Sequence, residues 1–179
     1  AMILEKLSLI NFKNYDEAQK YWTIRRESYN LLRKHNARKI SAPFIEDIVV
    51  HPDQLPEFMP KLDAILAHYP DFVYTIAGHA GDANFHIIPL VDVSTQKHRD
   101  QIIQMSDEVF KLVKEYAGSM TAEHNDGLVR GTFLEYMFGK QVFDLFKRTK
   151  QIFDPLNIFN PHKKTEADLT FYAEHIKHN

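Results

Sequence analysis

Two strand-like runs separated by four residues constrain this chain more than any other feature. Residues 71–79 (Asp-Phe-Val-Tyr-Thr-Ile-Ala-Gly-His) and 84–91 (Asn-Phe-His-Ile-Ile-Pro-Leu-Val) are rich in β-branched and aromatic residues, the types that fit a pleated, half-buried surface. A link as short as residues 80–83 joins antiparallel neighbours, because a parallel crossover needs about a dozen residues or more. Gly81 and Asp82 suit the bend: glycine takes positive φ cheaply, and aspartate bonds its own backbone. The hairpin therefore argues against an all-parallel α/β fold.

Helical patterns surround it. Asn14 reads as the N-cap of a helix from Tyr15 to about Lys34, with Trp22, Arg25 and Tyr29 on one face at steps of three and four. An extended stretch follows Pro43, with Ile45, Ile48, Val49 and Val50 favouring β structure. Leu55, Phe58, Met59, Leu62, Ile65 and Leu66 mark a second helix. Pro56 fits its first turn, and Pro60 is expected to kink or shorten it. After Ser94 or Thr95 comes a long amphipathic helix with a stripe of Ile102, Met105, Val109, Val113 and Tyr116, and Gly118 reads as its stop. Further helices are expected over 132–137, 140–153 and 165–177, the last capped by Thr165, and an opening strand over 2–12. The mixture gives an α+β class: a ferredoxin-like antiparallel sheet with helices on one face. With 179 residues, 44% of them hydrophobic, residues 1–179 read as a single domain with its own core.

Charge and cysteine content remove several function classes. The net charge is −2, without the basic excess that marks a nucleic-acid partner. There is no cysteine, so disulfides, thiolate metal sites and cysteine nucleophiles are excluded. No apolar run reaches the 18 or so residues of a membrane span. Histidine, with ten copies, is the residue to follow, since it titrates near neutral pH and is the commonest metal ligand.

His79 closes the first strand of the hairpin and His86 lies on the second. Side chains alternate faces along a strand, so Asn84, His86 and Ile88 share one face and Phe85 and Ile87 the other. The apolar pair suits a core and the polar pair a cleft. Two imidazoles on one rim can chelate a divalent metal, with Zn²⁺, Mn²⁺ and Fe²⁺ all chemically suitable; a polar hairpin with two exposed histidines reads the same residues equally well. Downstream, Glu123 could complete a two-histidine, one-carboxylate site, and His124 beside it could act as a general base. Adjacent residues of a regular strand point to opposite faces, so both serve one site only on an irregular backbone; Asn125, Asp126 and Gly127 supply turn residues for that. Arg25 could grip a carboxylate, and so could Arg130; the bland reading of both is a solvated surface arginine.

Four segments taken together resemble a known family. His-Ala-Gly-Asp-Ala-Asn-Phe-His (79–86), Glu-His-Asn-Asp-Gly-Leu-Val-Arg (123–130), Phe-Asp-Pro-Leu-Asn-Ile-Phe-Asn-Pro-His-Lys (153–163) and Trp-Thr-Ile-Arg (22–25) are similar, in the same order, to motifs of the C-terminal domain of FAD-linked oxidases. That family includes D-lactate, glycolate and D-2-hydroxyglutarate dehydrogenases. The resemblance implies a ferredoxin-like cap domain that binds substrate in an FAD-dependent dehydrogenase, oxidising a D-2-hydroxy acid of lactate or glycolate type to the 2-oxo acid. It implies His79, His86 and Glu123 as metal ligands, zinc first among the metals, and His124 as the base. Arg25 and Asn84 are implied as substrate contacts, and Asn160 as a neighbour of the flavin.

Three departures stand out. Ala83 replaces a family glycine, at a cost of roughly 1 kcal/mol if the position needs positive φ. Asn125 replaces the glycine after Glu-His, and His162 the glycine of Asn-Pro-Gly-Lys. Ile45 stands near a lysine found in some hydroxyglutarate-type members. No glycine-rich phosphate loop is present among only six glycines, so FAD is expected mainly on an N-terminal FAD-binding domain absent from this chain, in cis or in trans, and this piece alone is expected to be inactive. The other expected partners are a small 2-hydroxy acid and a second copy of the chain as a homodimer, with no nucleic acid and no membrane span. The expected location is cytoplasmic. Two further readings are a stand-alone metal- or metabolite-binding module without redox activity and a purely structural cap.

Overall fold

The computed structural model describes residues 12–35 and 38–176. Its class is α+β, as the hairpin and the helical stripes require. In order come α1 (Tyr15–His35), β1 (Ile40–Ser41), β2 (Ile48–Val49), α2 (Leu55–Ala67), β3 (Val73–His79), β4 (Asn84–Val91), α3 (Gln96–Glu115), α4 (Leu134–Phe138), α5 (Lys140–Phe153) and α6 (Leu169–Glu174). The opening strand expected over 2–12 falls outside the described residues apart from Phe12, and with it the full strand order of a ferredoxin-like sheet.

Every strand pairs antiparallel with β4. β3 lies along one edge of it, from Val73↔Leu90 to His79↔Asn84. The other edge is shared: β1 pairs at the far end (Ile40↔Val91, Ser41↔Leu90) and β2 at the near end (Ile48↔Phe85, Val49↔Asn84). Between Ser41↔Leu90 and Ile48↔Phe85 the edge chain takes seven steps while β4 takes five. The surplus residues loop out of the ladder, as in a bulge.

Alternation along β4 sets the core. Ile87 and Val91 are fully buried, and Ile76 on β3, paired with Ile87, packs against the same cluster. The helices answer with Phe58, Met59, Leu62 and Leu66 on α2 and Ile102, Met105, Val109, Phe110 and Val113 on α3. Burying a side chain of this size contributes about 1.5–3 kcal/mol, so this face holds the sheet to the helices, while the opposite face of β4 carries Asn84 and His86 at its near end and the buried Leu90 at its far end.

The helix caps are partly as read. Asn14 Oδ1 accepts from Glu17 N at 3.0 Å, and Thr95 caps α3 by accepting from His98 N at 3.2 Å. Other expectations need correction. α2 runs unbroken through Pro60; a proline one turn inside forfeits a single backbone bond, and the buried apolar face outweighs it. The left-handed residue after α3 is Ala117, at φ 50°, not Gly118. Gly118 is needed for space, because a Cβ there would lie 2.4 Å from the Val49 carbonyl oxygen. Asp168, not Thr165, caps the last helix, accepting from Phe171 N at 2.9 Å. Thr165 is buried in a short 3-10 turn instead.

Candidate functional site

The hairpin register places the first two histidines. His79 pairs with Asn84 and Ala77 with His86, so His79 and His86 are diagonal neighbours on the face turned away from the helices. Their ring centroids are 5.5 Å apart at right angles. The turn between them is a 3-10 turn (Ala80–Asp82) closed by Ala83 at φ 52°. The missing glycine thus sits in the left-handed region, and its methyl group is fully buried.

The second segment reaches the hairpin through β2. Val49 and Ser119 exchange two backbone hydrogen bonds at 2.9 Å, which lays the following residues alongside the sheet edge. Asp47 then shapes them. Its carboxylate is fully buried and accepts from the backbone N–H groups of Ala122 (2.9 Å), Glu123 (3.0 Å) and His124 (2.9 Å), and from the Asn84 amide at 3.2 Å. Burial raises its pKa. The three backbone donors and Asn84 outweigh that, and the carboxyl is held below its ordinary value. Asn125 follows at φ 65°. This is the irregular backbone that lets adjacent Glu123 and His124 serve one place.

Three imidazoles converge there. Glu123 Oε1 lies 3.4 Å from His79 Nε2, 3.2 Å from His86 Nε2 and 3.5 Å from His124 Nε2. At these separations they are contacts between lone pairs and charge rather than well-formed hydrogen bonds. His79, Glu123 and His124 are about half exposed, whereas the His86 side chain is only 12% exposed. The site is a rim open to small molecules with a buried imidazole as its floor. Ligand atoms of His79, His86 and Glu123 all lie within 4.8 Å of one another, and two imidazole nitrogens with one carboxylate oxygen suit a divalent metal with open positions.

Glu46 and Asp47 were missed by the sequence reading, though a signal was present: an acidic pair inside the apolar run Phe44, Ile45, Ile48, Val49, Val50, where charges are seldom buried unless paired. Glu46 is mostly buried. Its Oε1 is hydrogen-bonded to His124 Nδ1 and lies 3.1 Å from His86 Nδ1. The latter pair is close but not aligned as a hydrogen bond, and His86 Nδ1 has no hydrogen-bond partner among the described residues. The rings of His86 and His124 stack at 4.9 Å and 19°. Arg130 is buried rather than solvated. It donates to the Glu46 and Asn125 carbonyls and, at 3.2 Å, to Glu46 Oε2.

Two expected contacts lie elsewhere. The buried Asn84 amide donates to Asp47 and, at 3.1 Å, to the Ile48 carbonyl; it braces the floor from within instead of facing the cleft. Arg25 is on the exposed helix α1, its guanidinium 5.9 Å from the Trp22 ring. Asn160, at φ 49°, lines a cavity of about 510 Å³ with Asn125, Phe146, Phe159 and Lys163. Ahead of it, Asp154 accepts from Ile158 N and Phe159 N at 2.9 Å each and pairs with Lys150, which holds its carboxyl below the usual range.

Comparison with known proteins matches residues 3–164 to the family described as FAD linked oxidases, C-terminal domain. Among curated relatives, the D-2-hydroxyglutarate dehydrogenase of Stutzerimonas stutzeri is 35% identical over 74% of this chain and 30% of its own length. The glycolate oxidase subunit GlcD of Bacillus subtilis is 31% identical over 74% of this chain and 28% of its own. The mitochondrial D-lactate dehydrogenase [cytochrome] of Arabidopsis thaliana is 29% identical over 89% of this chain and 28% of its own. The chain therefore spans less than a third of the length of these relatives.

Proposed function

Since the chain belongs to the FAD linked oxidases, C-terminal domain family, we propose that it is the substrate-side domain of a flavin-dependent dehydrogenase that oxidises a small D-2-hydroxy acid to the 2-oxo acid. The observation that carries this reading is the convergence of His79, His86 and His124 Nε2 on one oxygen of Glu123. His79, His86 and Glu123 would hold a divalent metal, zinc first. When bound, the metal supplies Lewis-acid polarisation of the substrate's oxygens and the flavin supplies the hydride acceptor. His124 takes the hydroxyl proton on Nε2, its Nδ1 already engaged by Glu46. Arg25 grips the substrate carboxylate when α1 lies against the rim. FAD is held mainly by a further domain, in cis or in trans, with Asn160 facing it.

Ile45 stands near the place of a lysine found in some hydroxyglutarate-type members and offers no second cation, which favours lactate or glycolate over a dicarboxylate. The test has two arms. Metal analysis and calorimetry with Zn²⁺ and Mn²⁺ on the purified chain should show one site, and His86→Ala should abolish it; full retention in that variant overturns the ligand assignment. In the flavin-bearing protein, His124→Asn should lower kcat for D-lactate by about 100-fold or more, and wild-type kcat/KM should favour D-lactate over D-2-hydroxyglutarate. Equal activity in the variant removes the base.

A further inference from the structure

We infer that Glu46 is a positioning residue shared by two imidazoles: its Oε1 is the common acceptor for the Nδ1–H groups of His86 and His124, and so turns both Nε2 atoms toward Glu123 and the open rim. The argument starts from what each atom of Glu46 touches. Oε2 is engaged by Arg130 at 3.2 Å, and the same guanidinium donates to the Glu46 carbonyl. That leaves Oε1 for the rings, and both rings present Nδ1 to it: His124 through a hydrogen bond, His86 at 3.1 Å. Their parallel stack lets one oxygen serve both edges. On the far side both Nε2 atoms face Glu123 Oε1, at 3.2 Å and 3.5 Å.

A neutral imidazole carries one N–H, and the partner of one nitrogen decides the state of the other. A carboxylate at Nδ1 fixes the proton there and leaves Nε2 bare. Bare Nε2 is what a metal ligand needs at His86 and what a proton acceptor needs at His124. His86 Nδ1 is buried with no hydrogen-bond partner among the described residues, and Glu46 Oε1 at 3.1 Å is the acceptor within its reach; Glu123 Oε1 stands equally near Nε2, at 3.2 Å, so at His86 Glu46 opposes Glu123 for the ring proton. Arg130 completes the device by engaging Oε2, which leaves Oε1 turned to the rings, and its other terminal donors go to the Glu46 and Asn125 carbonyls.

The inference rests on the roles proposed above for His86 and His124, yet it can be tested without them. The tautomers of both rings are read from ¹⁵N imidazole shifts of the labelled 179-residue chain at about pH 8.5, where imidazole is ordinarily neutral. His124 is expected as Nδ1–H with bare Nε2 in the wild type and as a mixture of tautomers in Glu46→Ala; His86, with a carboxylate beside each nitrogen, is expected to shift toward Nε2–H in Glu46→Ala. Should Glu46→Ala not fold, Glu46→Gln keeps the size and one acceptor oxygen but cannot serve the rings and Arg130 together, and it is expected to lose the tautomer preference of at least one ring. Wild-type tautomers in the folded variants overturn the inference. Affinity for Zn²⁺ alone is expected to fall about 10- to 100-fold in either variant; unchanged affinity also counts against Glu46. A wild-type chain that binds no Zn²⁺ removes the metal reading instead and leaves the tautomer result standing.

Discussion

The Asp47 carboxylate oxygen Oδ2 lies 2.9 Å from the His124 amide nitrogen, a contact between residues 77 positions apart. One buried side chain thereby sets the path of the loop that carries both Glu123 and His124. Replacing Asp47 by Ala leaves the Glu123 and His124 N–H groups without their acceptor, while Ala122 N keeps the Asp47 backbone carbonyl and the Asn84 amide keeps the Ile48 carbonyl. Unsatisfied buried donors cost about 1–3 kcal/mol each, less what water recovers. We expect Asp47→Ala to destabilise the chain by about 3 kcal/mol or more in urea unfolding, and to lose metal binding although no proposed ligand is touched. A stability within about 0.5 kcal/mol of wild type would show the loop to be held by something else.

The same carboxyl makes stability depend on acid. Its folded pKa lies below the ordinary value of 3.8. A group depressed on folding binds its proton more readily when unfolded, so it contributes stability above the unfolded pKa and loses it as pH falls through the folded one. The difference in unfolding free energy between wild type and Asp47→Asn should be flat above about pH 5 and shrink below about pH 3.9. Urea titrations at several pH values measure it; a difference that grows on acidification would reverse the sign.

Metal should stabilise the folded chain by mass action. At a free concentration 100 times Kd, a ligand bound only by the native state adds about 2.7 kcal/mol. Zn²⁺ should therefore raise the thermal midpoint of the wild type. Glu123→Ala, whose carboxylate is the point of convergence, should show little of that rise. An equal rise in both would place the ion away from the rim.

Ala117 is exposed and sits at φ 50°, a region where a Cβ is crowded. Ala117→Gly removes that strain and gives up no packing. It should stabilise by about 1 kcal/mol, net of glycine's greater freedom in the unfolded chain. Ala83→Gly at φ 52° should gain less, because the Ala83 methyl is buried in the core. Chemical denaturation of the two variants separates strain from packing.

Local pattern made the hairpin legible in the sequence. Its strand ends were read to within two residues, and the register followed from a four-residue link. Period-two alternation then put His79 and His86 on one face. Ala83, weighed in the sequence as a position of positive φ, has φ 52°, and the other two glycine replacements, Asn125 and His162, also have positive φ, at 65° and 59°. The roles of Glu46 and Asp47 were not legible: the apolar run around them hints at burial, but their partners lie about 40 to 85 residues away. Asn84 misled for the same reason. It stands on the polar face, as alternation requires, but the distant Asp47 covers it.

The edge of the sheet between β1 and β2 looks like an ordinary loop that could tolerate any length. Its surplus over β4 is two residues, an even number, so both strands keep their side chains in phase with the sheet. Deleting one residue there would leave the register of β2 set by its own pairs with β4, Ile48↔Phe85 and Val49↔Asn84, so the strain would fall on the looped residues, Glu46 and Asp47 among them. The segment is thus a tether of fixed span between two anchored ends: a change in its length should displace Glu46 and Asp47 from the rim before it disturbs the paired strands.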